Sequence, residues 1–210
     1  MSSSRETILV RIRAAQGPAT VAREPSSGPR DASVDHAALV EQFVDRARDE
    51  AASVARVGAR RDVPAAVHDY LRDQGLPDRL IVAPNVTGLD WSRLDVRPGP
   101  VAPDGDAVCT GCYAAIAEAG AVVVISQAGH PTEFNFLAAT HIVMLPTASI
   151  VPSFEHLWAK LEADGMAASM PRMMNFIVGP SRTADLGVPS KLGAHGPARL
   201  HILLVEQGAE

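Results

Sequence analysis

Several short, mostly apolar runs punctuate this chain, at 79–83, 121–126, 141–145, 174–178 and 200–205. Apolar residues at consecutive rather than alternate positions predict strands covered on both faces, the condition of a parallel sheet. Ser53–Val57 reads as a further short strand. Helical patterns alternate with these runs. Asp35 is placed to cap a helix in which Leu39, Val40, Phe43, Val44 and Ala47 recur at helical spacing through about Ala51. Residues 63–73 and 153–162 also read as helices, with Gly75 and Pro77 stopping the first. The Ala-rich segment 112–118 is helical in composition, and 101–111 reads as a loop or weak strand. The alternation predicts an α/β fold, a doubly wound, mainly parallel sheet flanked by helices, with right-handed crossovers.

An aromatic content of 4% leaves Val, Ile, Leu and Ala to fill that core. With 210 residues the chain suits one substantial domain plus an extension. We place the domain at 35–210. Residues 1–34 divide into a helical opening segment, where Ile8, Val10, Ile12 and Ala15 sit among Arg5, Arg11 and Arg13, and a Pro-, Ser- and Gly-rich arm to about Ser33.

Several function classes lack support. The net charge is -5 and no Lys/Arg cluster is interleaved with aromatics, so no nucleic-acid partner is expected. No apolar run reaches the roughly 18 residues of a membrane helix, and the N-terminus has no signal-peptide core, so we expect no membrane span and a cytoplasmic location. Neither a G-x-G-x-x-G after a strand nor a G-x-x-x-x-G-K-[ST] occurs, which removes the standard nucleotide loops. Cys109 and Cys112 are the only cysteines. Two thiolates fall short of the four that hold a cubane iron–sulfur cluster, and no second Cys/His pair completes a zinc site. A thioredoxin-like role needs the C-x-x-C to open a helix after a strand, a context only half present. Both cysteines read as small packing residues, and no metal or cofactor is expected in this chain.

The richest polar segment follows the run at 174–178. Gly179 and Pro180 turn the chain sharply out of its strand, because Pro brings no N–H to a ladder and Gly accepts a positive φ. Ser181, Arg182, Thr183 and Asp185 follow, a set that suits a small carboxylate or phosphate at a strand's carboxyl end, with a guanidinium fork and two hydroxyls. The plainer alternative is a capped turn with Arg182 paired to Asp185. His195, held by Gly196 and Pro197, reads as a general acid/base or an anion contact, or else as a turn residue bonded to carbonyls. His130 is a weaker candidate for the same cleft. Glu118 precedes Gly120 and a buried strand, and reads either as a catalytic carboxylate or as a Glu bonded to nearby backbone.

Two ordered motifs, 179–185 with Leu192-Gly193, His195-Gly196-Pro197 and 200–205, and 114–120 before the run at 121–125, resemble the LUD-domain family, whose best-known members are the lactate utilization protein C subunits. Gly187 stands where the family usually has Glu, Ala119 where Thr often follows the Glu, and Pro189 interrupts a stretch that is usually apolar. The resemblance implies a fold similar to ribose-phosphate isomerases, glucosamine-phosphate deaminases and CoA transferases. It also implies a subunit of a cytoplasmic iron–sulfur system that oxidises L-lactate to pyruvate. Iron–sulfur clusters would then belong to partner subunits, and this chain would contribute anion or partner recognition. One alternative is a self-contained sugar-phosphate or acyl-CoA enzyme using Glu118, for which fold analogy carries no chemistry by itself. A second is a non-catalytic scaffold subunit, favoured by Gly187.

Overall fold

The computed structural model describes residues 4–15, 35–97, 107–127, 132–183, 191–193 and 195–206. The chain divides into two compact units. The first contributes helix α1 (Ser4–Ala15), in keeping with the opening pattern; the expected arm after it lies outside the described residues. The second unit, from Asp31 onward, contains everything else.

Its elements run in the order α2 (His36–Asp49), β1 (Ser53–Val57), α3 (Val63–Asp73), β2 (Arg79–Val82), β3 (Asp95–Val96), β4 (Ala107–Gly111), β5 (Ala114–Ile116), β6 (Ala121–Ile125), β7 (Thr140–Pro146), β8 (Ile150–Val151), α4 (Phe154–Ala163), β9 (Met174–Ile177), β10 (Arg182–Thr183), β11 (Lys191–Leu192) and β12 (Arg199–Val205). Six strands form a parallel sheet in the order β1-β12-β7-β4-β2-β3. A second, four-stranded sheet has the order β8-β5-β6-β9, antiparallel except where β5 meets β8.

The parallel sheet is apolar because both of its faces are packed. On β12, Leu203 and Val205 join Val63, Val67 and Leu71 of α3, while Leu200, Ile202 and Leu204 join Leu39, Val40, Phe43, Val44 and Ala47 of α2. The second sheet lies on the α2 side, with Ala115, Val122 and Val124 in the same cluster as β12. Its far face, Ala114, Ile116, Ala121 and Val123, packs on Leu157 and Leu161 of α4. Period-two alternation thus separates three cores, although every position reads as apolar. Asp35 caps α2 as expected, its Oδ1 accepting the Ala37 N–H at 3.1 Å.

Two sequence expectations are corrected. Segment 112–118 is not a helix: Ala114–Ile116 is strand β5, joined to β6 by a tight turn closed by the Gly120 N–H donating to the Ala117 carbonyl at 3.3 Å. Alanine favours a helix in isolation, but here it is the side chain small enough to fit between the parallel sheet and α4, so packing overrides propensity. Gly120 has φ 60°, and a Cβ there would come within 2.6 Å of the Ala47 backbone nitrogen, so the turn is pressed onto α2. The second correction concerns 101–111. Its end, Ala107–Gly111, is a fully buried strand between β7 and β2.

A buried titratable group sits at the amino end of β12. His201 is 5% exposed, stacks on Tyr70 of α3 at 3.8 Å between ring centroids, and has Nδ1 2.8 Å from Ser53 Oγ. Burial pulls its pKa from 6.5 down to about 4. The unfolded chain therefore binds the proton first as pH falls. Stability is full above about 6.5, declines between there and about 4, and levels below. We expect acidification across that window to remove on the order of 3 kcal/mol, and His201→Gln to flatten that part of the profile, as read by denaturant midpoints at a series of pH values.

Candidate functional site

Strand β9 ends at Ile177, and the chain leaves it through Val178, Gly179 and Pro180 as the residue types demand. Gly179 has φ 67°, and a Cβ there would fall onto the carbonyl oxygen of Glu50, just past the end of α2. Only Gly lets the strand exit run this close to α2. Two backbone bonds then tie this exit to the loop ahead of β12. The Ser181 N–H donates to the Pro197 carbonyl at 2.8 Å, and the Gly193 N–H donates to the Ser181 carbonyl at 3.0 Å. Arg182 and Thr183 continue as β10, paired antiparallel with Leu192 and Lys191 of β11.

The result is an open cleft of about 430 Å³ lined by Gly179, Pro180, Ser181, Arg182, His195, Gly196 and Pro197, with Phe176, Ile177 and Val178 along one wall. The structure thus brings together most of the residues singled out above. Arg182 and His195 are exposed and Ser181 is half-buried, so the guanidinium and the imidazole are both open to solvent. Thr183 is placed by backbone pairing next to this rim; Asp185, Gly187, Pro189 and His130 lie outside the described residues. Three further wall residues gave no sequence signal: Glu50, Asn135 and Phe136. Asn135 is 1% exposed although flanked by two Phe, and a buried amide between aromatics is the one hint that local reading could have used.

The cleft's position differs from the expected one. It does follow the carboxyl end of β9, but β9 belongs to the second sheet. Relative to the parallel sheet it faces the amino ends of β1, β7 and β12, which the chain enters just after Glu50, Phe136 and Pro197. The strand-end rule for α/β sheets therefore does not account for it. It is a surface cleft walled by three loops, with exposed Phe136 and Val178 on its border.

Glu118 is elsewhere. It lies in the β5–β6 turn, its Oε1 accepting the Phe154 N–H at 3.0 Å at the first turn of α4. There the carboxylate satisfies one of the helix's unpaired donors and meets the positive end of its dipole. Glu118→Ala should lower thermal stability by roughly 1 kcal/mol. The cysteines are apart in role as well. Cys109 is buried in the core on the α3 side, whereas Cys112 packs on the α2 side and donates its thiol to the Met144 carbonyl at 3.5 Å. Burial pushes both thiols up to about 12, which suits packing residues and disfavours thiolate chemistry. Among the described residues no group of three His, Cys, Asp or Glu side chains is arranged to hold a metal, and no helix is long and apolar enough to cross a membrane.

Fold and cleft together define an α/β protein whose anion-suited loops stand beside a parallel sheet without a nucleotide loop. Residues 102–205 match the LUD domain. The chain is similar to the lactate utilization protein C of Deinococcus radiodurans, 29% identical over 185 residues that make up 84% of each chain. The lactate utilization protein C of Geobacillus thermodenitrificans is 34% identical over 91 residues, 43% of this chain and 38% of that one. The match with that relative thus spans about two fifths of its length. YkgG of Escherichia coli is 33% identical over 92 residues. Among solved structures, a DUF162 family protein from Deinococcus radiodurans superposes with a TM-score of 0.64 over 82% of this chain and 99% of its own, at 24% identity, and shows the shared fold.

Gly179 offers a direct test of how the cleft is built. Gly179→Ala should cost about 2 kcal/mol or more, because a left-handed backbone and a clash with Glu50 act together. Thermal unfolding reads the loss. A variant as stable as the parent would show that the exit does not lie against α2.

Proposed function

We propose that this chain is a subunit of a lactate-utilization system, in which it recognises an anionic group of a partner or ligand at the Ser181, Arg182 and His195 rim. The observation that carries the reading is the match to a lactate utilization protein C along 84% of both chains. The cleft's form agrees with it. An exposed guanidinium, a hydroxyl and an imidazole beside exposed aromatic surface suit a carboxylate presented by another molecule, which the rim can hold without enclosing it.

Oxidation of L-lactate to pyruvate needs an acceptor for two electrons. The two thiols here are unsuited to an iron–sulfur cluster, because they lie on opposite faces of the sheet and burial raises both. In this reading the clusters belong to partner subunits, and the chain's own residues bind and orient. A self-contained enzyme built on Glu118 has no comparable support, since that carboxylate is engaged at the start of α4.

The purified chain should not reduce a soluble dye with L-lactate, and activity should appear when cysteine-rich iron–sulfur partners are added. Arg182→Ala should weaken that association roughly tenfold, the low end for a charge-assisted hydrogen bond at a solvated site, while leaving the fold intact. Cys109→Ser should matter less. Lactate oxidation by the lone chain would refute the subunit reading, and a larger loss from Cys109→Ser would move the chemistry to the C-x-x-C.

A further inference from the structure

The parallel sheet has its own switch point, away from the cleft. Strands β2 and β4 are neighbours, yet their carboxyl-end connections diverge. From β2 the chain passes Asn85 and runs outward to the edge strand β3. From β4 it passes Gly111, Cys112 and Tyr113 into the second sheet and on to β7, on the other side. Adjacent strands whose exits part in this way leave a crevice at their carboxyl ends, where open α/β sheets take their ligands.

The crevice is present. A cavity of about 240 Å³ is lined by Asn85, Gly111, Cys112, Tyr113, Gln127 and Lys160, with Val124 and Ile125 among its apolar wall. Its base is stitched by the side chain of Asn85, whose Oδ1 accepts the Gly111 N–H at 3.2 Å and so joins the two exits. Its cation is held in place by neighbours. Lys160 Nζ donates to Asp164 Oδ2 at 3.0 Å and stands 5.0 Å from the centroid of the Tyr113 ring, while the Tyr113 hydroxyl donates to the same Asp164 oxygen at 2.7 Å. Tyr113 therefore shares the carboxylate with Lys160 and leaves the ammonium's other donors for a ligand. The size is informative. Sites for drug-sized ligands run from about 300 Å³ upward, so this one suits a smaller molecule than a nucleotide or an acyl-CoA.

We propose that this crevice binds a short-chain monocarboxylate, a 2-oxo or 2-hydroxy acid, with its carboxylate on Lys160 and its short carbon chain against Val124 and Ile125. The location stands on the fold alone; the choice of acid rests on the lactate-utilization reading. Substrate recognition and partner recognition then occupy opposite ends of the parallel sheet, the crevice at its carboxyl end and the Arg182 cleft at its amino end.

The test is a titration of the isotope-labelled full chain with pyruvate, followed by amide chemical shifts. Saturable shifts centred on Gly111, Tyr113 and Gln127 are expected. Lys160→Gln should weaken binding by roughly tenfold or more, and Lys160→Arg should keep most of it. Lys160 lies on the outer part of α4, and the spectrum of each variant reports its folding directly. Non-saturable shifts, shifts centred on 179–197, or binding indifferent to Lys160→Gln in a folded variant would overturn the site. If pyruvate fails to bind while partner-dependent lactate oxidation persists, the crevice is refuted and the subunit reading stands.

Discussion

Strand β12 is the element on which the other parts of the domain depend. It is paired along both edges, with β1 from Ser53 to Val57 and with β7 from Thr140 to Pro146, and neither of its faces meets water. A strand in that position is stable only if something apolar covers each side. Helix α3 covers one side, and α2 with the second sheet covers the other. Each buried Leu or Ile there contributes about 1.5–3 kcal/mol, so the layer order follows from where these side chains are buried. The His201 and Tyr70 stack places a polar ring pair inside the same arrangement, and the burial that lowers the His201 pKa is the source of the pH dependence expected of the domain.

The cleft inherits its geometry from β12. The residues ahead of this strand are held at its entrance, where the Ala198 and Arg199 N–H groups both donate to the Ala139 carbonyl. Ser181 then binds this loop from the other side through its own N–H and carbonyl. Arg182 and His195, both exposed, are therefore brought to one rim by backbone hydrogen bonds.

The two ends of the parallel sheet differ in kind. At the amino end the cleft is broad and bordered by exposed Phe136 and Val178. At the carboxyl end the crevice is smaller, with a cation held by a carboxylate and a phenol. Surface recognition and the binding of a small acid ask for different shapes, and the two proposed sites differ in this way. Glu118, the remaining acidic candidate, serves neither; it closes the β5–β6 turn onto α4.

The strands at 121–125 and 200–205, the helix at 63–73 and the capping by Asp35 were legible locally, because burial on both faces writes a nearly continuous apolar run and a cap needs one side chain at one position. The loop chemistry of Gly179-Pro180-Ser181-Arg182 was legible for a similar reason, since turns demand particular residue types. What local pattern could not decide was which sheet each strand would join. The Ala-rich segment at 114–116 has the propensity of a helix and became a strand because tertiary packing buries both its faces, Ala115 toward α2 and the parallel sheet and Ala114 and Ile116 toward α4. By itself the sequence determined most of the strands, the turn after β9 and the family resemblance. Tertiary structure decided that β9 lies outside the parallel sheet, that the cleft faces the sheet's amino end, and that Asn85, Tyr113 and Lys160 meet at the switch point. Strand order is set by packing between residues far apart in the chain, and no local period records it.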